Sequence, residues 1–211
     1  MSLSRKETIA CPKCKKNFEV TIWNTVNTDL AEDVAGLIVT GKFFVETCPH
    51  CGYHLTLNYP LLYQDLKHKA MVWIIPRGEG REKKIAEIRG GLAVPEYTTR
   101  MVAGIDQLRE KVSSLESGRD DRVLELLKWS LVQNLQKQMP NFRLREVLYL
   151  RLEGKEAFHF YSTEGGYLCG ELVEEQYQFI KNKFAKQLEK FDGLPYPEVD
   201  YLWASALWAN A

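Results

Sequence analysis

The chain has 211 residues, 45% of them hydrophobic and 27% charged, and its formal net charge is zero. That is the profile of a soluble globular protein long enough to bury one large core or two small ones, and it argues against bulk attraction to nucleic acid or anionic lipid. No apolar run approaches 18 residues, so no membrane span is expected. Met1–Glu7 offers no apolar leader, and the five cysteines fall as two tight pairs plus Cys169, which makes a reducing, cytoplasmic compartment the expectation.

The first pair is Cys11-Pro12-Lys13-Cys14 and the second Cys48-Pro49-His50-Cys51. Each can form a turn that aims two thiolates at one ion, and two such turns complete a tetrahedron. Four thiolates suit Zn²⁺, so one structural zinc per chain is expected on Cys11, Cys14, Cys48 and Cys51. Pro12 and Pro49 pre-set the backbone inside each turn, and Gly52 suits an exit through positive φ. The spacer, residues 15–47, is longer than the roughly 15 to 20 residues usual for paired knuckles and must therefore hold folded elements. The pattern predicts a strand over Phe18–Trp23 and a helix from Asn27 or Thr28 to Thr40, with Leu30, Val34, Leu37 and Ile38 on one face. Gly41 stops the helix, and Phe43–Val45 reads as a strand. Three more strands follow at Tyr53–Leu57, Leu61–Tyr63 and Ala70–Ile75, bracketed by Pro60 and Pro76.

Residues 77–96 are rich in glycine and charge and mark the expected linker, interrupted by a short helix around Lys83–Ile88. This divides the chain into residues 1–76, the linker 77–96, and residues 97–211. The last part reads mostly as helix. Met101, Ile105, Leu108, Val112 and Leu115 recur at helical steps; Gly118 breaks the run, and Asp120 caps a second helix carrying Val123, Leu127, Leu131 and Leu135 to Pro140. A short polar turn between two long helices implies an antiparallel hairpin. Val147–Leu152 and Ala157–Tyr161 predict a β-hairpin, Val173–Phe191 a helix with one apolar face, and the end of the chain a last helix bearing Trp203 and Leu207.

Two Cys-Pro-x-Cys motifs flanking a helix-containing spacer resemble the CpXC domain, a prokaryotic family named for that motif. The matching elements are Cys11–Cys14, the helix ending at Gly41, and Cys48–Gly52, over residues 8–75. Glu110-Lys111, Asp120-Asp121-Arg122 and Leu124-Glu125 with Lys128 are also similar to longer members. The resemblance implies zinc and the fold around it, and it carries no mechanism.

The expected fold class is α+β: a zinc-ribbon-like N-terminal domain with an inserted helix, then a helix-rich domain carrying a β-hairpin. The expected function is a zinc-binding, non-catalytic interaction or scaffold protein, with no catalytic residue assigned. The alternatives are an enzyme whose site lies between the domains, with zinc only bracing it, and a zinc-ribbon regulator that binds nucleic acid. Thiol redox chemistry needs the Cys-x-x-Cys at a helix N-terminus, whereas Tyr53–Leu57 reads as a strand. Lys13, Lys15 and Lys16 suit charge compensation of a four-thiolate centre. The basic run Arg77, Arg81, Lys83, Lys84 and Arg89 is diluted by glutamates and reads as a solvated face. His50 and His54 are substitute ligands at most; His68 and His159 read as structural. Cys169 reads as a buried small side chain, and Asp120-Asp121 as helix capping rather than a Mg²⁺ site. Surplus aromatic area around Tyr177, Phe184, Trp203 and Trp208 makes a homodimer through the C-terminal helices the expected assembly.

Overall fold

The structure, a computed structural model, describes residues 2–30, 33–91, 94–190 and 195–210. It divides into two compact units, Met1–Leu108 and Arg109–Ala211. Mixed helices and strands give the α+β class expected. Residues 77–96, the linker of the sequence reading, lie inside the first unit. The reason is a strand, Thr98–Val102, that follows them and returns the chain to the same sheet.

In the first unit, β1 (Leu3–Ala10) and β2 (Asn17–Asn27) form an antiparallel hairpin. Phe18, Val20 and Ile22 alternate inward along β2, the period-two pattern that makes this segment a strand with one buried face. The end of β2 runs parallel to β5 (Leu61–Asp65). β6 (Ala70–Ile74) is antiparallel to β5, and β7 (Thr98–Val102) is parallel to β6, giving the order β1-β2-β5-β6-β7. A separate two-stranded sheet holds β3 (Val45–Thr47) and β4 (His54–Thr56).

The expected helix ending at Thr40 is shorter than predicted. A 3-10 turn at Thr28–Leu30, whose Asp29 amide donates to the Asn27 side chain at 3.0 Å, precedes α1 (Val34–Val39). Val34 and Ile38 are buried, Leu37 is exposed, and Gly41 ends the segment at φ 78°. Lys42–Phe44 is a 3-10 turn rather than the predicted strand. Adjacent Phe43 and Phe44 pack edge to face at 5.1 Å, which alternation across a strand would forbid. The short helix expected near Lys83 is α2 (Arg81–Arg89), in which Ile85 is buried.

α3 (Ile105–Ser117) leads into the second unit. Gly118, at φ 66°, turns the chain, and the Asp120 side chain accepts from the Arg122 amide to cap α4 (Asp121–Gln138). The predicted hairpin is β8 (Leu144–Leu152) with β9 (Lys155–Ser162), closed by Glu153-Gly154, both at positive φ, as a two-residue type I′ turn requires. A third strand, β10 (Tyr167–Glu171), extends it into a sheet ordered β10-β9-β8. The single helix expected over 173–191 is two, α5 (Glu174–Lys183) and α6 (Ala185–Glu189), broken at Phe184; position 191 lies outside the described residues. The last helix is α7 (Tyr201–Trp208), capped by Asp200.

Among the described residues, the core of this second unit draws on Leu126, Leu127 and Val132 of α4, Tyr149 and Phe158 of the sheet, and Tyr177, Ile180 and Phe184 near α5. Trp208 stacks on Trp129 at 5.0 Å and meets Phe184 edge to face at 4.9 Å, while its indole N–H donates to the Leu126 carbonyl at 3.0 Å. Two of the aromatic groups on which the dimer expectation drew are therefore packed within one chain.

Candidate metal centre

The first Cys-Pro-x-Cys turn sits at the tip of the β1–β2 hairpin, where Ala10 faces Asn17. The second sits at the tip of the β3–β4 hairpin, where Thr47 faces His54. The two turns share one hydrogen-bond plan. The Cys11 amide donates to the Lys16 carbonyl at 3.0 Å and the Lys15 amide to the Cys11 carbonyl at 2.9 Å. Likewise, the Cys48 amide donates to the Tyr53 carbonyl and the Gly52 amide to the Cys48 carbonyl, both at 2.9 Å. The exit residue is left-handed in both, Lys15 at φ 62° and Gly52 at φ 68°. Glycine adopts that conformation freely; lysine does so at a cost.

The hairpin tips bring four sulfurs together, all within 4.8 Å of one another. Cys11 Sγ lies 3.7 Å from Cys51 Sγ, and Cys14 Sγ lies 3.8 Å from Cys48 Sγ. A tetrahedral site with metal–sulfur bonds of about 2.3 Å has sulfur–sulfur edges of about 3.8 Å, so the cluster could hold one metal ion. All four cysteines are free thiols. Cys11 and Cys48 are buried, and they pack with Phe18, Val20 and Ile22 of β2, flanked by Leu55 and Leu57. The centre is thus joined to the core of the sheet, not hung from a loop.

The electrostatics of the cluster favour a cation. The backbone amide of Cys14, helped by that of Lys13, holds the Cys11 thiol down to about 6. The Tyr53 amide acts in the same sense on Cys51, yet burial and the neighbouring sulfurs of Cys14, Cys48 and Cys11 outweigh it and push that thiol up to about 11. Thiolates this close repel one another unless a positive ion sits between them. Lys13, Lys15 and Lys16 are exposed around the first turn, where their charges suit an anionic centre.

The other residues singled out in the sequence lie elsewhere. His50 Nε2 contacts the Asn17 carbonyl at 3.1 Å, tying the second turn to the start of β2, and His54 Nδ1 contacts the Thr47 hydroxyl at 2.9 Å. His68 Nδ1 meets buried Asp65 at 2.8 Å, and His159 Nδ1 meets the Tyr167 hydroxyl at 2.8 Å. In the basic run, Lys84 pairs with Glu87 at 3.3 Å and Arg81 donates to the Ile75 carbonyl at 3.2 Å. Asp120 caps α4, and Asp121 pairs with Lys111 at 2.9 Å. Cys169 is exposed, not buried: Leu168 of β10 turns toward the core, so strand alternation puts Cys169 on the opposite face.

Sequence reasoning gave no role to a set of buried charges in the second unit: Glu110, Lys111, Glu125 and Lys128. A signal was present. Lys128 stands one helical turn from Leu124 and next to Leu127, on the apolar side of α4, where a charge needs a partner.

Two hairpins tipped by matching knuckles give the first unit a ribbon-like region whose four cysteines could hold one metal ion. Residues 9–128 match the model of the CpXC protein family, and the chain belongs to that family. No curated protein and no solved structure matches it. Among the described residues no helix is long and apolar enough to cross a membrane.

Proposed function

We propose that this is a zinc-binding, non-catalytic interaction or scaffold protein in which zinc is structural. The observation that carries the reading is the pair of sulfur–sulfur edges at 3.7 and 3.8 Å, the dimensions of a closed four-thiolate tetrahedron. Such a site uses every coordination position on protein sulfur and leaves none for substrate or water. Zinc then joins the tips of two hairpins that belong to separate sheets, and metal affinity becomes folding energy. Metal analysis of the native protein, with X-ray absorption at the metal edge, tests this. One zinc per chain with four sulfurs at about 2.3 Å is expected. Iron in its place, or a first shell with fewer than four sulfurs, overturns the reading.

The partner reading is a homodimer through the C-terminal helices. Phe179 on α5 is 64% exposed and Leu202 on α7 is 71% exposed, large apolar groups on the outer side of the second unit. Sedimentation tests it: a 24.4 kDa species at micromolar concentration removes the idea, and a dimer weakened by Phe179→Glu supports it.

A further inference from the structure

Strand β1 lies at the end of the five-stranded sheet, and among the described residues it pairs with β2 alone. Each of its residues except Ile9 is exposed. The phase of its hydrogen bonding is set at the knuckle, where the Cys11 amide donates to the Lys16 carbonyl. Antiparallel positions alternate between hydrogen-bonded and non-hydrogen-bonded pairs. Ile9, Glu7 and Arg5 therefore turn their backbone groups toward Phe18, Val20 and Ile22 of β2, while Thr8, Lys6 and Ser4 turn theirs outward. The outer side of β1 is a row of amides and carbonyls on which another strand can form.

Charges on the covered face of an edge strand ordinarily keep other strands away. Arg5 and Glu7 stand on that face, opposite buried Ile22 and Val20. Their signs are opposite, however, and they are two residues apart on one face. Arg5 Nε donates to Glu7 Oε1 at 2.6 Å, and the guanidinium also meets the Asn24 side chain. The two side chains are still 52% and 43% exposed, which leaves both open to a partner arriving from beyond the edge.

We infer that the partner is a second copy of this chain, the two β1 strands pairing antiparallel about a two-fold axis at Lys6. Such a pair is isologous, so the residue at its centre fixes every other partnership. Centred on Arg5 or on Glu7, the pairing sets like charges against each other. Centred on Ser4 it sets Arg5 against Leu3, and centred on Thr8 it sets Glu7 against Ile9. Centred on Lys6 it sets Arg5 of each copy against Glu7 of the other, on both sides of the axis, where opposite charges stabilise the sheet. The backbone phase agrees with that centre. Lys6 meets Lys6 and Ser4 meets Thr8 with their outward amides and carbonyls facing, and the Arg5–Glu7 positions fall where side chains stand closest. The two Lys6 ammonium groups lie on the opposite face, each offset by its own Glu19 at 3.3 Å. The contact belongs wholly to the first unit and depends neither on the zinc reading nor on the contact through the C-terminal helices.

The test is sedimentation of the full-length protein with charge reversals in β1. Arg5→Glu and Glu7→Arg should each weaken self-association roughly tenfold, because both cross-copy pairs become like-charged. The two variants mixed in equal amounts should associate with each other as the wild type does, since a copy with two acids then meets a copy with two bases. Phe179→Glu should leave this association unchanged. In the wild type, hydrogen exchange at the Lys6 and Thr8 amides should slow as protein concentration is raised, while the Glu7 amide, already bonded to β2, keeps its rate. A monomer at every concentration overturns the inference, and so do Lys6 and Thr8 amides that exchange freely in the associated protein. A dimer lost in Phe179→Glu but kept in Arg5→Glu is the C-terminal contact and overturns this one. Folded single variants that do not associate when mixed also overturn it. The exchange measurement on the wild type decides the matter even if a variant fails to fold.

Discussion

The two knuckles differ at their exit residue, and that difference can be measured. A methyl group built on Gly52 meets nothing within 4 Å, so Gly52→Ala adds no clash and costs only the left-handed backbone at φ 68°. That cost is about 1–2 kcal/mol, reduced by the roughly 0.4–1 kcal/mol that alanine gains through a less flexible unfolded chain. A net loss of about 1 kcal/mol is expected. Lys15 already bears this cost at φ 62°, so Lys15→Gly should gain a similar amount. Because metal binding and folding of the knuckles are linked, the changes appear in metal affinity. About 1 kcal/mol corresponds to roughly fivefold, since 1.4 kcal/mol is tenfold. Competition against a chromophoric chelator should show Gly52→Ala binding about fivefold more weakly and Lys15→Gly more tightly. The reasoning fails if Gly52→Ala is neutral, or if Lys15→Gly weakens binding, which would mean that the lysine charge outweighs its backbone.

Cys14→Ser or Cys48→Ser should abolish tight metal binding and loosen the β1–β2 and β3–β4 hairpin tips before the second unit responds; hydrogen exchange at residues 11–17 and 48–54 would show it, and unchanged protection there would contradict it. Lys128→Met leaves Glu110 and Glu125 buried without their shared cation and should cost about 3–5 kcal/mol; a loss under about 1 kcal/mol in equilibrium denaturation would mean that the cluster is already neutral without the lysine. Stability should also fall toward low pH. The Arg119 fork, at 3.0 and 2.8 Å, holds Glu156 below its ordinary 4.5, so its contribution is present above that value and is lost as pH falls below it. An acid limb that is not flattened by Glu156→Gln would refute the assignment.

The four-cysteine cluster was legible because its signal is chemical: two Cys-Pro-x-Cys motifs name the side chains that the fold brings together. The left-handed Lys15 was not legible, since nothing in the residue type announces it, although the parallel with Gly52 in the second motif held the clue. The helices α3 and α4 were read correctly where Leu108, Val112, Val123 and Leu127 repeat at helical steps and all are buried. β7 was missed for a physical reason. Arg100, Met101 and Val102 are buried in succession, so the strand shows no alternation, and Met101 falls by chance at helical spacing from Ile105. β10 was missed for the opposite reason: it is an outer strand, mostly exposed, and solvent demands no pattern of it. The continuous helix predicted over 173–191 broke at Phe184, whose fully buried ring is fixed by Trp208 rather than by helix periodicity.

The placement of the two knuckles on separate hairpins has a consequence for how the domain tolerates change. An ion held by all four sulfurs would fix Cys14 and Cys48 relative to each other, and the chain between them would then be a closed loop whose ends the metal defines. Closure entropy rises only with the logarithm of loop length, and doubling such a loop costs about 0.6 kcal/mol. Strand β2 is committed to the sheet as far as Asn27, and the second hairpin begins at Val45. The stretch between those points, with α1 as its short helix, is therefore where added or removed residues disturb the centre least.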